Sequence, residues 1–123
     1  MKKPGRILIV EDEYLIALDV ESRLLDAGFA VVGIAATADQ ALALAASEQP
    51  DLAIVDVRLA GPRDGVEVAI ALSQKGIRSI FASAHADSNT KRRAEPASPV
   101  GWLRKPYSEL ALVDLVRKAF KVA

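Results

Sequence analysis

Five short apolar runs rich in β-branched residues alternate along the chain with segments whose apolar residues recur at helical spacing, and this alternation narrows the fold more than any other feature. Arg6 to Val10 is the first run, and it stops at the acidic turn Glu11-Asp12-Glu13. Glu13 to Ala27 follows with Ala17, Val20, Leu24 and Ala27 on one stripe, and Gly28 stands where a carboxyl-terminal cap belongs. Ala30 to Ala35 is the second run. Thr37 then precedes Gln40 by the spacing of a reciprocal capping box, which predicts a second helix with Ala38, Ala41, Leu42 and Ala45 buried. The third run, Leu52 to Val55, ends at Asp56. Beyond a loop from Val57 to Asp64, residues Val66, Ala69, Ile70 and Ser73 recur at helical spacing before Gly76. Arg78 to Ser83 is the fourth run and Val100 to Leu103 the fifth. Lys105-Pro106 follows, then a helix with Leu112, Val116 and Ala119 inward and Asp114, Arg117, Lys118 and Lys121 outward. Between the fourth and fifth runs, Ala86 to Pro99 is polar and closed by Pro96 and Pro99, so a helix there is expected to be short.

Strands that are apolar on both faces and alternate with helices predict a parallel sheet covered on both sides, a doubly wound α/β fold. With 123 residues there is room for one domain, which buries about two-thirds of the surface its unfolded chain exposes. Sixteen basic residues balance sixteen acidic ones, which argues against nucleic acid as a partner, since nucleic-acid modules are basic on one face. The absence of Cys excludes disulfides, thiolate chemistry and Cys-bound metals, and fits a cytoplasmic protein. Nor does any apolar stretch approach the roughly 18 residues of a membrane span, and Met1-Lys2-Lys3-Pro4 leads into a run too short for a signal-peptide core. Neither membrane nor export is expected.

In doubly wound sheets ligands bind beyond the carboxyl ends of the strands, so those ends should carry the chemistry. They hold Glu11 and Asp12 after the first run, Asp56 after the third, Ser83 after the fourth and Lys105 after the fifth. Carboxylates brought together raise one another's pKa unless a cation sits among them, and Lys105 offsets only one charge. Hard oxygen donors without His or Cys suit Mg²⁺, or alternatively Mn²⁺.

This set of five positions resembles the receiver domain of two-component response regulators, the CheY-like family, and the match covers essentially the whole chain. The resemblance implies a flavodoxin-like (βα)5 sheet with strand order 2-1-3-4-5. It also implies a single receiver domain over residues 1–123, standing alone without an output domain, although a receiver cut from a larger regulator or hybrid kinase would read the same way. By the same resemblance Asp56 is the phosphoacceptor, taking a phosphoryl group from a histidine kinase or histidine phosphotransferase. Glu11, Asp12, Asp56 and the backbone carbonyl of Arg58 hold Mg²⁺. Ser83 and Lys105 bind the phosphoryl oxygens, and Ser83 and Trp102 form a switch read by a downstream protein partner. That partner is expected on the face made by the fourth helix region, fifth strand and fifth helix, with the chain a monomer or a phosphorylation-dependent dimer. Such a protein is a phosphoacceptor that assists its own phosphorylation and dephosphorylation, not an enzyme acting on others.

Phe81-Ala82-Ser83-Ala84-His85 with Gly101-Trp102-Leu103 is similar to a receiver type with a Phe-Ala-Thr-Gly motif, often stand-alone and associated with alphaproteobacterial kinases. The chain departs from the family pattern in three ways. Glu11-Asp12 replaces Asp-Asp, the loop after Asp56 is one residue longer before Gly65 with Ala60 where Pro is frequent, and Ser83 replaces Thr, keeping the hydroxyl. Two other classes compete. A phosphatase of the haloacid dehalogenase type would need an Asp-x-Asp start, whereas Val57 and Arg58 follow Asp56; a pseudo-receiver would work without phosphorylation, which the complete set of acids, Ser83 and Lys105 argues against. Lys91-Arg92-Arg93 is expected to be a solvated face; His85, the only His, lies in a loop without a partner in sequence and is assigned neither catalysis nor metal binding, although His85 and Arg58 flank the site where they would tune phosphate lifetime.

Overall fold

The computed structural model describes residues 4–121; Met1 to Lys3 and Val122 and Ala123, on which the readings of a short amino-terminal lead and of a chain end at Ala123 fell, lie outside the described residues. Ten main elements alternate: β1 (Arg6–Val10), α1 (Tyr14–Asp26), β2 (Ala30–Ala35), α2 (Ala38–Glu48), β3 (Leu52–Asp56), α3 (Gly65–Ser73), β4 (Arg78–Ser83), α4 (Ser88–Ala94), β5 (Gly101–Arg104) and α5 (Glu109–Phe120). A single 3-10 turn, Glu95–Ala97, extends α4. The five strands pair in parallel in the order β2-β1-β3-β4-β5, as the resemblance implies.

The strands are apolar throughout because helices cover both faces of the sheet. Leu8, Val10, Ala53, Val55 and Phe81 point toward α2 and α3, whereas Ile7, Ile9, Leu52, Ile54 and Ile80 point toward α1 and α5. Each fully buried Val, Leu, Ile or Phe among them contributes about 1.5–3 kcal/mol relative to exposure. The central strand β3 is buried from end to end.

Helix starts follow local chemistry, with one shift. Thr37 Oγ1 accepts from the Gln40 N–H at 3.2 Å, but Gln40 Oε1 reaches back to the N–H of Ala36, not of Thr37, so the box closes one residue early. Asp64 caps α3 by accepting from the Glu67 N–H at 3.0 Å. The stripe predicted for α3 is also corrected: Ile70 and Ser73 are half-buried, and Val68 and Leu72 are fully buried beside Val66 and Ala69. This helix packs on the sheet and on both α2 and α4, so more than one of its faces is covered. Leu42 of α2 is likewise only half-buried, and β5 begins at Gly101, one residue later than expected.

Gly65 positions the site directly. Its N–H donates to the Val57 carbonyl at 2.8 Å, and a Cβ there would overlap the backbone oxygen of Asp56 and lie 2.9 Å from Val55 Cγ1. Both neighbours belong to the buried end of β3 and have nowhere to move. Gly65→Ala should therefore cost about 3 kcal/mol, read as a lower urea midpoint at unchanged slope; a loss below about 0.5 kcal/mol would mean that the turn relaxes freely.

Candidate functional site

Parallel pairing brings the strand ends into one layer. Val10 pairs with Val55, Asp56 with Ala82, and Ser83 with Arg104. The ladder runs slightly past the strands: Glu11 N–H donates to Ala35 O at 2.8 Å, Val57 N–H to Ala82 O at 3.1 Å, and Lys105 N–H to Ser83 O at 2.9 Å. Glu11, Asp56 and Lys105, far apart in sequence, are thus held by backbone at the carboxyl ends of β1, β3 and β5, on one side of the sheet.

Lys105 joins them. Its Nζ donates to Asp56 Oδ2 at 2.7 Å and to Glu11 Oε1 at 2.8 Å. The other carboxylate oxygens are held by backbone, Asp56 Oδ1 by the Arg58 N–H at 3.1 Å and Glu11 Oε2 by the Glu13 N–H at 3.2 Å. Glu11 and Asp56 are 5% and 8% exposed, while Asp12 is open to solvent. One oxygen from each of these three acids lies within 4.8 Å of the others, which is close enough to share a cation. Asp12, Asp56, Arg58, Ser83, Ala84 and Lys105 line a cavity of about 420 Å³ above them.

Burial dominates the electrostatics. It pushes the Glu11 carboxyl up to about 7, against the Lys105 hydrogen bond and with help from neighbouring Asp56. Burial acts to lower the pKa of Lys105, but the hydrogen bonds to Asp56 and Glu11 outweigh it and leave the ammonium raised and charged. One ammonium facing three carboxylates leaves the pocket short of positive charge, and the donors are hard oxygens. A Mg²⁺-type cation fits that set.

Ser83 is 7% exposed, and its Oγ accepts from the His85 N–H at 3.1 Å, leaving its own O–H free to donate into the cavity. Trp102 lies apart from the acids. It is half-buried and stacks on Phe81, with ring centroids 4.5 Å apart and planes at 22°. Lys91, Arg92 and Arg93 are all exposed, as expected of a solvated face, and Arg93 Nη2 in addition donates to Asp64 Oδ2 at 2.9 Å, tying α4 to the cap of α3. Tyr107 was overlooked in the sequence; its half-buried ring lies with Ile16 and Pro106 in a groove beside Lys105, and only its place after Lys105-Pro106 could have flagged it.

This is the acidic pocket and fold of a receiver. The chain belongs to the family of response regulator receiver domains, whose model matches residues 7–117, and is therefore a receiver domain of two-component signalling. It is 35% identical over 117 residues to the transcriptional regulatory protein PdtaR of Mycobacterium tuberculosis, covering 94% of this chain and 57% of that protein. It is 37% identical over 111 residues to the phyllosphere-induced regulator PhyR of Methylorubrum extorquens, covering 88% and 42%. The chain thus spans about half the length of these curated relatives. Among solved structures, the signal receiver domain of a modulated diguanylate cyclase from Desulfovibrio desulfuricans superposes with a TM-score of 0.88 at 33% identity, covering 94% of this chain and 93% of that one. No helix among the described residues is long and apolar enough to cross a membrane.

The raised pKa of Glu11 has a thermodynamic consequence. Its folded value near 7 exceeds the ordinary 4.5, so its contribution to stability is fully present below about 4.5 and is lost as pH rises through 7. Without divalent cations, melting in EDTA should show a stability loss on the order of 2 kcal/mol between pH 5 and 8 that Glu11→Gln removes. Parallel pH profiles for the two proteins would show that Glu11 is not the titrating group.

Proposed function

We propose that residues 4–121 act as one receiver unit in which Asp56 accepts a phosphoryl group from a phosphohistidine of a histidine kinase or histidine phosphotransferase. The observation that carries this reading is Asp56 Oδ2 held 2.7 Å from the Lys105 ammonium, in a buried acidic pocket that opens to a cavity. Glu11, Asp12, Asp56 and the Arg58 carbonyl are the proposed ligands of Mg²⁺, with Mn²⁺ as a substitute. When bound, the cation would neutralise charge on the phosphoryl oxygens and offset the acids.

The remaining steps belong to the chain. Asp56 attacks phosphorus in line, forming an acyl phosphate, while the donor P–N bond breaks and its electron pair stays on the imidazole nitrogen. Donation from the Arg58 backbone to Oδ1 and from the Lys105 ammonium to Oδ2 fixes the orientation of the carboxylate beneath the cavity that Asp56 lines. Lys105, already on Asp56, shifts to a phosphoryl oxygen and keeps its charge because its pKa is raised. Ser83 donates its free hydroxyl to another. Ala84 is small and exposed, and leaves the donor an approach.

A phosphoryl group adds nearly two negative charges, and Ser83 and Lys105 lower their energy by moving toward it. Ser83 is paired in the sheet with Arg104, two residues beyond Trp102 on the same strand, so the same movement reaches β5. There a downstream protein partner would read the state, with the receiver acting as a monomer or a phosphorylation-dependent dimer.

Incubation with phosphoramidate and Mg²⁺ should add one phosphoryl group by intact-mass spectrometry, and Asp56→Asn should abolish the addition. Retained labelling in that variant would place the acceptor elsewhere, and no labelling of the wild type would favour a phosphorylation-independent interaction module. Under the same conditions Trp102 fluorescence should change in intensity or position; a flat signal in a labelled protein would remove Trp102 from the switch.

A further inference from the structure

The loop from Val57 to Asp64 joins Asp56 to α3 and carries the Arg58 carbonyl, yet none of its eight residues is buried. At the site it is held by backbone donors: Val57 N–H to Ala82 O, Arg58 N–H to Asp56 Oδ1, and Gly65 N–H, just after the loop, to Val57 O. Away from the site it is moored to other elements. Ala60 forms an isolated parallel bridge with Thr37, at the start of α2. Arg63 lies 4.0 Å from Asp39 of α2 and 3.8 Å from Glu67 of α3. Asp64 receives Arg93 of α4 at 2.9 Å, the shortest ion pair outside the acidic pocket among the described residues.

Asp64 divides its carboxylate between two tasks. Oδ1 accepts from the Glu67 N–H and caps α3, while Oδ2 accepts from Arg93 Nη2. One oxygen fixes the helix that follows the loop, and the other reaches across to α4. The two residues are 29 apart in sequence, so the contact holds only while α4 rests on α3. A loop whose tip at Ala60, Gly61 and Pro62 is exposed, with left-handed backbone at Gly61, has many conformations open to it. Each outside tie removes some of them before a ligand arrives.

We propose that Asp64, through its pair with Arg93, is a positioning residue for the metal site: the pair narrows the loop to arrangements that present the Arg58 carbonyl to Mg²⁺, and so couples occupancy of the site to the seating of α4 on α3. This rests on the Mg²⁺ reading above. Neither Asp64 nor Arg93 belongs to the acid cluster or lines its cavity. Coupling of this kind is reciprocal, so Mg²⁺ strengthens the pair by the same factor that the pair strengthens Mg²⁺ binding. The route runs along the loop to the cap of α3, separate from the one through Ser83 and β5.

The sign of the effect separates positioning from bulk charge. Removing a positive charge near an acidic pocket tightens cation binding by electrostatics alone, whereas removing a mooring weakens it. Isothermal titration of the intact, metal-free chain with Mg²⁺ reads the difference. Arg93→Gln, and Asp64→Asn, which keeps an oxygen for the cap, should each weaken Mg²⁺ about two- to fivefold, the range an exposed ion pair supplies. The double variant should be no weaker than either single one. Arg93→Lys should recover part of the loss, and NaCl at about 1 M should shrink the gap between wild type and Arg93→Gln. Arg92→Gln, on the same helix and without an ion pair among the described residues, should stay within about 1.5-fold of wild type. Hydrogen exchange should show Mg²⁺ slowing the α4 amides in the wild type and not in Arg93→Gln. Thermal melts confirm that the variants fold. Unchanged or tighter Mg²⁺ binding by Arg93→Gln, or losses that multiply in the double variant, would overturn the positioning role and leave the metal site in place. A wild type that takes up no Mg²⁺ would remove both.

Discussion

The ammonium of Lys105 lies between two buried carboxylates, and the arrangement of the upper sheet depends on that contact. Glu11 and Asp56 are brought together by backbone pairing, which takes no account of side-chain charge. Two carboxylates so placed would repel each other in a poorly solvated pocket, and a cation within hydrogen-bonding distance of both is what makes the placement tolerable. Even so, burial keeps Glu11 titrating near neutrality. A site in which one ammonium holds two of three acids has room, electrostatically, for a further cation and for an anionic group that the cation and Lys105 share.

Ser83 connects this pocket to the rest of the surface. It closes β4, pairs with Arg104 of β5, and borders the hollow that contains Trp102. Its hydroxyl accepts from His85, at the start of the connection to α4. A change at Asp56 therefore has a short physical route to β5 and α4 through one residue and its backbone pair. α4 is only seven residues long, and its tie to α3 includes the single exposed ion pair of Arg93 and Asp64. An exposed pair of this kind contributes little, so α4 is one of the less firmly held elements of the fold.

Much of this was legible in the linear chain because the relevant patterns are local. Apolar runs such as Leu52 to Val55 identify buried strands, Thr37 and Gln40 mark a helix start, and the polar stretch around Asn89 and Thr90 predicts a short helix. The acids, hydroxyl and lysine of the site were visible because a doubly wound sheet gathers its strand ends, so naming the strands also names the site. The burial of Val68 and Leu72 was not visible. A single stripe assumes one covered face, and α3 has more than one.

The sequence by itself determined the doubly wound α/β class and the chemical character of the site, since both follow from periodicity and from which residue types end each strand. Tertiary structure decided the ionic state and the pairing. Lys105 and Glu11 are 94 residues apart, and Arg93 and Asp64 are 29 apart. No local pattern specifies which cation meets which acid or how deeply Glu11 is desolvated. Those outcomes depend on distance and burial in three dimensions, because electrostatic energies vary with both and are not carried by spacing along the chain.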